Sequence, residues 1–209
     1  MMKLQFIILT KSSKYSGFCV AGIGSKTGKW YRLVTQNENS HGAVRKENLK
    51  DENGRECELL DEVSVVIDKK CGDEIQPENV LFNTSYCLTF VRKVTLKEVF
   101  KKHPPEVHRV ILGNPYPYIK KCRINLLDHS LELIQVTKLR VYHTTNNLGK
   151  PKTKADFNYG FSRYEGMSVT DYRYYRAAEG LFYEKACLVI SIGTPLDERY
   201  YKFVSAIYV

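Results

Sequence analysis

Apolar and polar residues alternate through much of this chain with the two-residue period of half-buried strands. Leu4–Thr10 is the first such run, followed by Phe18–Ile23, a turn over Gly24–Gly28 and a third run at Trp30–Val34. Tight Ser/Gly/Lys turns join these three, so they read as a meander. The connections are too short for a crossover between parallel strands, which sets aside an open α/β nucleotide-binding sheet here. The polar stretch 37–58 reads as a long loop or a short helix over a barrel mouth. Val63–Ile67 and Cys87–Val91 then add strands, separated by a turn-rich connection through Gly72 and Pro77. About five strands result, enough for a compact barrel or sandwich.

The period changes at Thr95. Thr95-Leu96-Lys97-Glu98 has capping-box spacing, Leu96, Val99 and Phe100 follow at helical intervals, and Pro104-Pro105 stops the turn. A second short helix is predicted from Pro105 or Glu106 to Leu112, ended by Gly113. The helical pair marks a boundary near residue 100, dividing the chain into 1–100 and 101–209. Alternation then returns. Leu131–His143 is long and broken once, which predicts a bulge. A polar loop, Thr144–Lys154, precedes strands at Phe157–Tyr159, Tyr164–Val169, Cys187–Ile192 and Tyr201–Val209. Asp171 is placed to cap a short helix, Tyr172–Glu179. Two small closed β units fit this pattern better than one large sandwich.

Composition narrows the class. With 209 residues, 43% of them hydrophobic, the chain can bury a core unaided. No apolar run approaches the roughly 18 residues of a membrane span. The opening Met1-Met2-Lys3 and short apolar stretch suit a first strand better than a secretion signal. Six cysteines in a chain of this size, without an export signal, read as reduced thiols and a cytoplasmic protein. The net charge is +9, with 15 Lys/Arg against 13 Asp/Glu in residues 1–100 and 17 against 10 in 101–209. That asymmetry suggests a polyanion partner for the second half, nucleic acid before membrane, although a basic solvated surface has the same composition.

Several blocks resemble a known family. Thr10-Lys11-Ser12-Ser13-Lys14, Cys19-Val20-Ala21-Gly22-Ile23 and Thr27-Gly28-Lys29-Trp30-Tyr31-Arg32-Leu33-Val34 resemble the opening of bacterial dual OB-domain proteins. Gln76-Pro77-Glu78-Asn79, Val169-Thr170-Asp171, Ser191-Ile192-Gly193-Thr194-Pro195 and Tyr201-Lys202-Phe203-Val204 resemble later blocks of that family. The likeness spans nearly the whole chain. It implies a mainly β fold, two tandem OB-like small β-barrels with a few short helices, and it brings no catalytic residue with it.

The candidate chemistry is sparse. Gly22-Ile23-Gly24-Ser25-Lys26-Thr27-Gly28-Lys29-Trp30 looks like a phosphate loop but lacks the Gly-Lys-Ser/Thr ending, and it leads into a strand instead of a helix. The five histidines and six cysteines show no zinc spacing, so neither a metal nor a cofactor is expected. His103 and His108 flank the double proline without a recognised ligand pattern. Asp128, His129, His143 and Asp171 are the polar residues an enzyme acting on nucleotides or nucleic acid would use. Turn formation and capping explain them more simply, and the chain reads away from catalysis.

Basic and aromatic residues interleave more suggestively. Lys29, Tyr31 and Arg32 lie on the third strand or its turn. Tyr118, Lys120, Lys121 and Arg123 form a second cluster beside Tyr116, and Arg173, Tyr175 and Arg176 form a third. Lys150, Lys152 and Lys154 crowd a loop where long cations have little structural reason to gather. OB barrels bind single strands by stacking bases on exposed rings while cations follow the phosphates. Trp30 and most of the 15 tyrosines also suit core or seam positions. The leading expectation is a non-enzymatic nucleic-acid-binding module for single-stranded DNA or RNA. A protein-interaction component with a protein partner is the alternative.

Overall fold

In a computed structural model describing residues 1–15, 17–36, 41–175 and 180–209, the chain divides into two compact units, Met1–Pro104 and Pro105–Val209. The first unit holds β1 (Met2–Lys14), β2 (Gly17–Gly24), β3 (Trp30–Val34), β4 (Asp61–Lys70) and β5 (Asn79–Phe82). They pair in the order β1-β2-β3-β5-β4, and β4 returns to β1, so the sheet closes on itself. Only β3 and β5 run parallel within this ring. A five-stranded closed barrel with this circular order is an OB-type barrel. Closure needs a bend in β1, and a register shift between Ile8 and Thr10 supplies it. Gly22 lies opposite Ile8, where a β-carbon would collide with the carbonyl oxygen of Ile7.

The second unit repeats the plan. After the short β7 (Tyr118–Lys120) come β8 (Leu131–Thr145), β9 (Pro151–Tyr159), β10 (Ser162–Val169), β11 (Leu181–Leu196) and β12 (Arg199–Tyr208). Their order is β8-β9-β10-β12-β11, closed by β11 on β8, with β10 and β12 parallel. The break anticipated in the long strand is a bulge between Thr137 and Arg140, where Lys138 takes φ 54°. Ile134, Leu139, Val141, Ala155, Phe157, Met167, Leu188, Ile190 and Val204 fill the interior.

Each barrel also buries a lysine. Lys11 reaches Glu56 at 2.6 Å, Glu58 at 3.0 Å and the Cys57 carbonyl at 3.2 Å. Lys202 donates to the carbonyls of Ile111 (2.6 Å) and Asn114 (2.7 Å) and to Asn114 Oδ1 (3.0 Å). Both ammonium groups thereby pin a non-barrel segment to the barrel.

Three local expectations change. The strand expected at Cys87–Val91 is β6 (Thr89–Lys93), which pairs with β4 outside the ring and is exposed throughout. The ring is closed instead by the four-residue β5. The capping box forms as expected and starts α1 (Leu96–Lys102), but no α-helix follows over 105–112, only a 3-10 turn at Ile111–Gly113. There the backbone is held by the second barrel: Glu106 N donates to the Leu133 carbonyl at 2.7 Å, and the Tyr159 and Tyr164 hydroxyls accept from His108 N and Ile111 N. Asp171 does cap, accepting from Arg173 N, but the turn it starts is a 3-10 turn, Tyr172–Tyr174; 176–179 lie outside the described residues. No described helix is long and apolar enough to cross a membrane. All six cysteines are free thiols.

Candidate nucleic-acid interface

The outward-facing residues of the second barrel form one continuous row. Strand alternation turns Ala155 and Phe157 inward and Lys152, Lys154 and Asp156 outward on β9. In register with Lys154 stand Tyr142 of β8 and Ser168 of β10, and Ser168 pairs in turn with Phe203 of β12. A ring, a cation, a hydroxyl and a second ring thus cross four strands side by side. Lys154 Nζ donates to Ser168 Oγ at 2.9 Å and to the Gly166 carbonyl at 3.1 Å, leaving its third proton unassigned by these bonds. Burial, and then the charge of Lys152, draw the Lys154 pKa below its ordinary value. The Tyr142 hydroxyl donates to Asp156 at 3.0 Å, and burial raises its pKa.

The row opens into a cleft of about 550 Å³ at the barrel end, lined by His143, Lys152, Lys154, Thr170, Tyr175 and Phe203 among others. The β8–β9 turn forms one rim, with Asn146 Oδ1 accepting from the backbone of Leu148 and Lys150. Tyr175 stands opposite, exposed, its hydroxyl donating to the Thr170 carbonyl at 3.3 Å. His143 Nδ1 lies 3.3 Å from Thr153 Oγ1.

A second group joins along β12. Tyr201 and Phe203 share a strand face, which places them about 7 Å apart. The Tyr201 ring lies 6.1 Å from Tyr118, which stacks on Tyr116, and the Arg199 guanidinium sits 4.5 Å over the Tyr118 ring. Lys120, Lys121 and Arg123 are exposed next to them, Lys121 within 3.1 Å of Glu198.

The sequence-predicted site residues therefore divide. Lys152, Lys154 and Tyr175 line the cleft and Lys150 lies on the turn beside it, although Lys152 and Lys154 stand on a strand and not in a loop. Tyr118, Lys120, Lys121 and Arg123 gather at the β7 edge. Arg173 is drawn away from solvent work: it pairs with the buried Asp171 at 2.7 Å and donates to the Ile207 carbonyl at 2.7 Å. Arg176 lies outside the described residues. Of the first-unit trio, Lys29 is exposed and Tyr31 half-buried, but Arg32 is only 2% exposed and cannot face a ligand in solution.

A family model described as Dual OB-containing domain matches residues 4–207. The chain belongs to that family. No curated protein matches this dual OB chain. Among solved structures it is similar to a murine DNA-binding protein bound with double-stranded DNA, at 7% identity and TM-score 0.43, covering 100% of this chain and 94% of that one. It is also similar to the tetrameric p202 HIN2, at 13% identity and TM-score 0.36, covering 100% and 93%. A third is the Ifi202 HINa domain in complex with 20-base-pair double-stranded DNA, at 12% identity and TM-score 0.35, covering 97% and 91%.

In this dual OB chain, sequence reasoning missed Tyr142, Ser168, Arg199, Tyr201 and Phe203. Tyr201-Lys202-Phe203-Val204 reads only as part of a strand, and the outward parity of its two rings emerges only with the register. Charge patterning also changes. Counted on the two compact units, residues 1–104 carry 17 Lys/Arg against 13 Asp/Glu and residues 105–209 carry 15 against 10, nets of +4 and +5. Bulk charge does not single out the second unit.

Proposed function

We propose that this protein binds nucleic acid through the second barrel, with a preference for single strands. The observation that carries the reading is the Tyr142–Lys154–Ser168–Phe203 row running into the cleft that Lys152 lines, with Lys150 on the adjoining turn. Rings presented singly on an outer barrel face suit unpaired bases, whose faces are free to stack; those of a duplex are covered. Lys150 and Lys152 would follow the phosphates, and Tyr175 would stack a base at the cleft mouth. Tyr116, Tyr118 and Tyr201, with Arg199 and Lys120, extend the same track along β12.

Fluorescence anisotropy with labelled single-stranded DNA, RNA and duplex, over a salt series, tests this. For single strands the logarithm of affinity should fall with the logarithm of salt by about 0.7 per phosphate contact, and Lys150→Gln with Lys152→Gln should flatten the slope by about 1.4. Tyr175→Ala should cost about 1–3 kcal/mol while leaving the slope unchanged. Absence of binding at low salt, or binding indifferent to salt, removes the reading. A duplex preference would keep the partner class and overturn the strand preference. The second reading, a protein partner, is favoured by the exposed rings Phe161 and Phe182. A stoichiometric protein recovered from nuclease-treated lysate, and lost on their replacement by serine, would support it.

A further inference from the structure

The geometry points to a divalent transition-metal site, best suited to zinc, formed by His108, His129 and Glu132 of the second unit. One ligand atom from each lies within 4.8 Å of the others. Glu132 is near the start of β8 and 1% exposed. Its Oε1 accepts from Leu112 N at 3.0 Å and faces His129 Nε2 at 3.1 Å. Its Oε2 is buried without a hydrogen-bond partner among the described residues. A carboxylate oxygen taken out of water needs a compensating proton donor or cation, and Lys202 acts on Glu132 through its charge alone, with no hydrogen bond reaching Oε2.

The other ligands are oriented as a metal centre requires. His129 Nδ1 lies 2.5 Å from the Asp128 carboxylate. A hydrogen bond on that side fixes the tautomer and turns the Nε2 lone pair toward Glu132, the carboxylate–histidine–metal arrangement. His108 enters from the segment crossing the barrel, its backbone N–H held by the Tyr159 hydroxyl at 2.8 Å. Its ring lies alongside that of His129, centroids 6.3 Å apart and planes 27° from parallel. Zinc–ligand bonds of about 2.0 Å at tetrahedral angles put neighbouring donors about 3.3 Å apart, close to the His129–Glu132 separation. The exposed His108 side chain then needs only a rotamer adjustment to complete the set. Two imidazoles and one carboxylate suit zinc and its first-row neighbours, whereas calcium and magnesium take oxygen donors. Three protein ligands leave a fourth position for water. The competing arrangement is an imidazolium at His129 bridging Asp128 and Glu132 with no metal.

Isothermal titration of the chelator-stripped full chain with zinc chloride near neutral pH distinguishes the two. One zinc per chain is expected, with affinity reduced about tenfold or more in His108→Ala, a substitution at an exposed side chain. Glu132→Gln, which keeps an oxygen for Leu112 N, should weaken binding in the same way. Zinc should raise the unfolding temperature of the parent chain more than that of His108→Ala. No binding heat, or equal affinity in parent and His108→Ala, overturns the site. Loss of binding in Cys87→Ser with Cys122→Ser, which removes the exposed thiols, also overturns it, because it would place the zinc on those thiols.

Discussion

Lys202 shows how far residue identity depends on its surroundings in this chain. Three oxygens at 2.6–3.0 Å suit an ammonium, but burial works against the charge, and its pKa is pulled down from 10.5 to about 7. Between those two values the unfolded chain holds a proton that the folded chain lacks, so this residue's contribution to stability rises with pH across that window and is absent below it. Urea unfolding of the parent chain and Lys202→Met at pH values from 7 to 9 should show the difference between them growing with pH. At pH 7 the substitution should still cost about 1–3 kcal/mol, from three buried or half-buried oxygens that each lose a hydrogen bond. A lysine cluster in the sequence does not disclose such differences. Lys150 and Lys152 face solvent, Lys154 is half-drawn into a hydrogen-bonded row, and Lys202 is interior. Arg32 and Arg173 likewise sit among basic-aromatic runs, yet one is buried and the other is tied to Asp171. Side-chain parity in a closed barrel decides each case, and parity depends on bulges and register that composition does not encode.

At the scale of elements, the capping box of α1 was readable because its chemistry is local. Thr95 Oγ1 accepts from Glu98 N, and Glu98 Oε2 accepts from Thr95 N at 2.8 Å. Arg92 reaches across from β6 to the same carboxylate at 2.6 Å. The Arg92 hydrogen bond, with the two from Thr95, holds the Glu98 pKa down at about 2. A folded-state pKa below the unfolded 4.5 makes the contribution complete above that value and lost as pH falls toward 2. Glu98→Gln should therefore lower the thermal midpoint at pH 7, and the gap to the parent should close by pH 2. Thr95→Ala should cost about 0.5–2 kcal/mol by removing the cap. Strands with clear alternation were equally readable. The 105–112 segment was not, because its helix signals compete with hydrogen bonds from Leu133, Tyr159 and Tyr164, residues up to 53 positions away. Nor was β5, whose four buried residues carry no period.

The whole molecule is one circular strand order written twice. Each ring closes within its own unit, and the hydrogen bonds that pin 106–114 go to the second barrel. We place the domain boundary at Pro104–Pro105 on that ground. A fragment of residues 105–209 should unfold cooperatively by circular dichroism and keep the oligonucleotide affinity of the full chain; loss of both would show that the second unit depends on the first. The two rings also differ in when they can close during synthesis. All five strands of the first are complete once Phe82 has emerged, whereas β8 must wait for β11, its partner from Leu181 onward. While the ribosome makes the intervening residues, Leu131, Leu133 and Ile134 have no neighbouring strand on that side. The newborn chain then trails an adhesive, half-finished sheet behind a finished bead, and this interval is where a chaperone would find its grip.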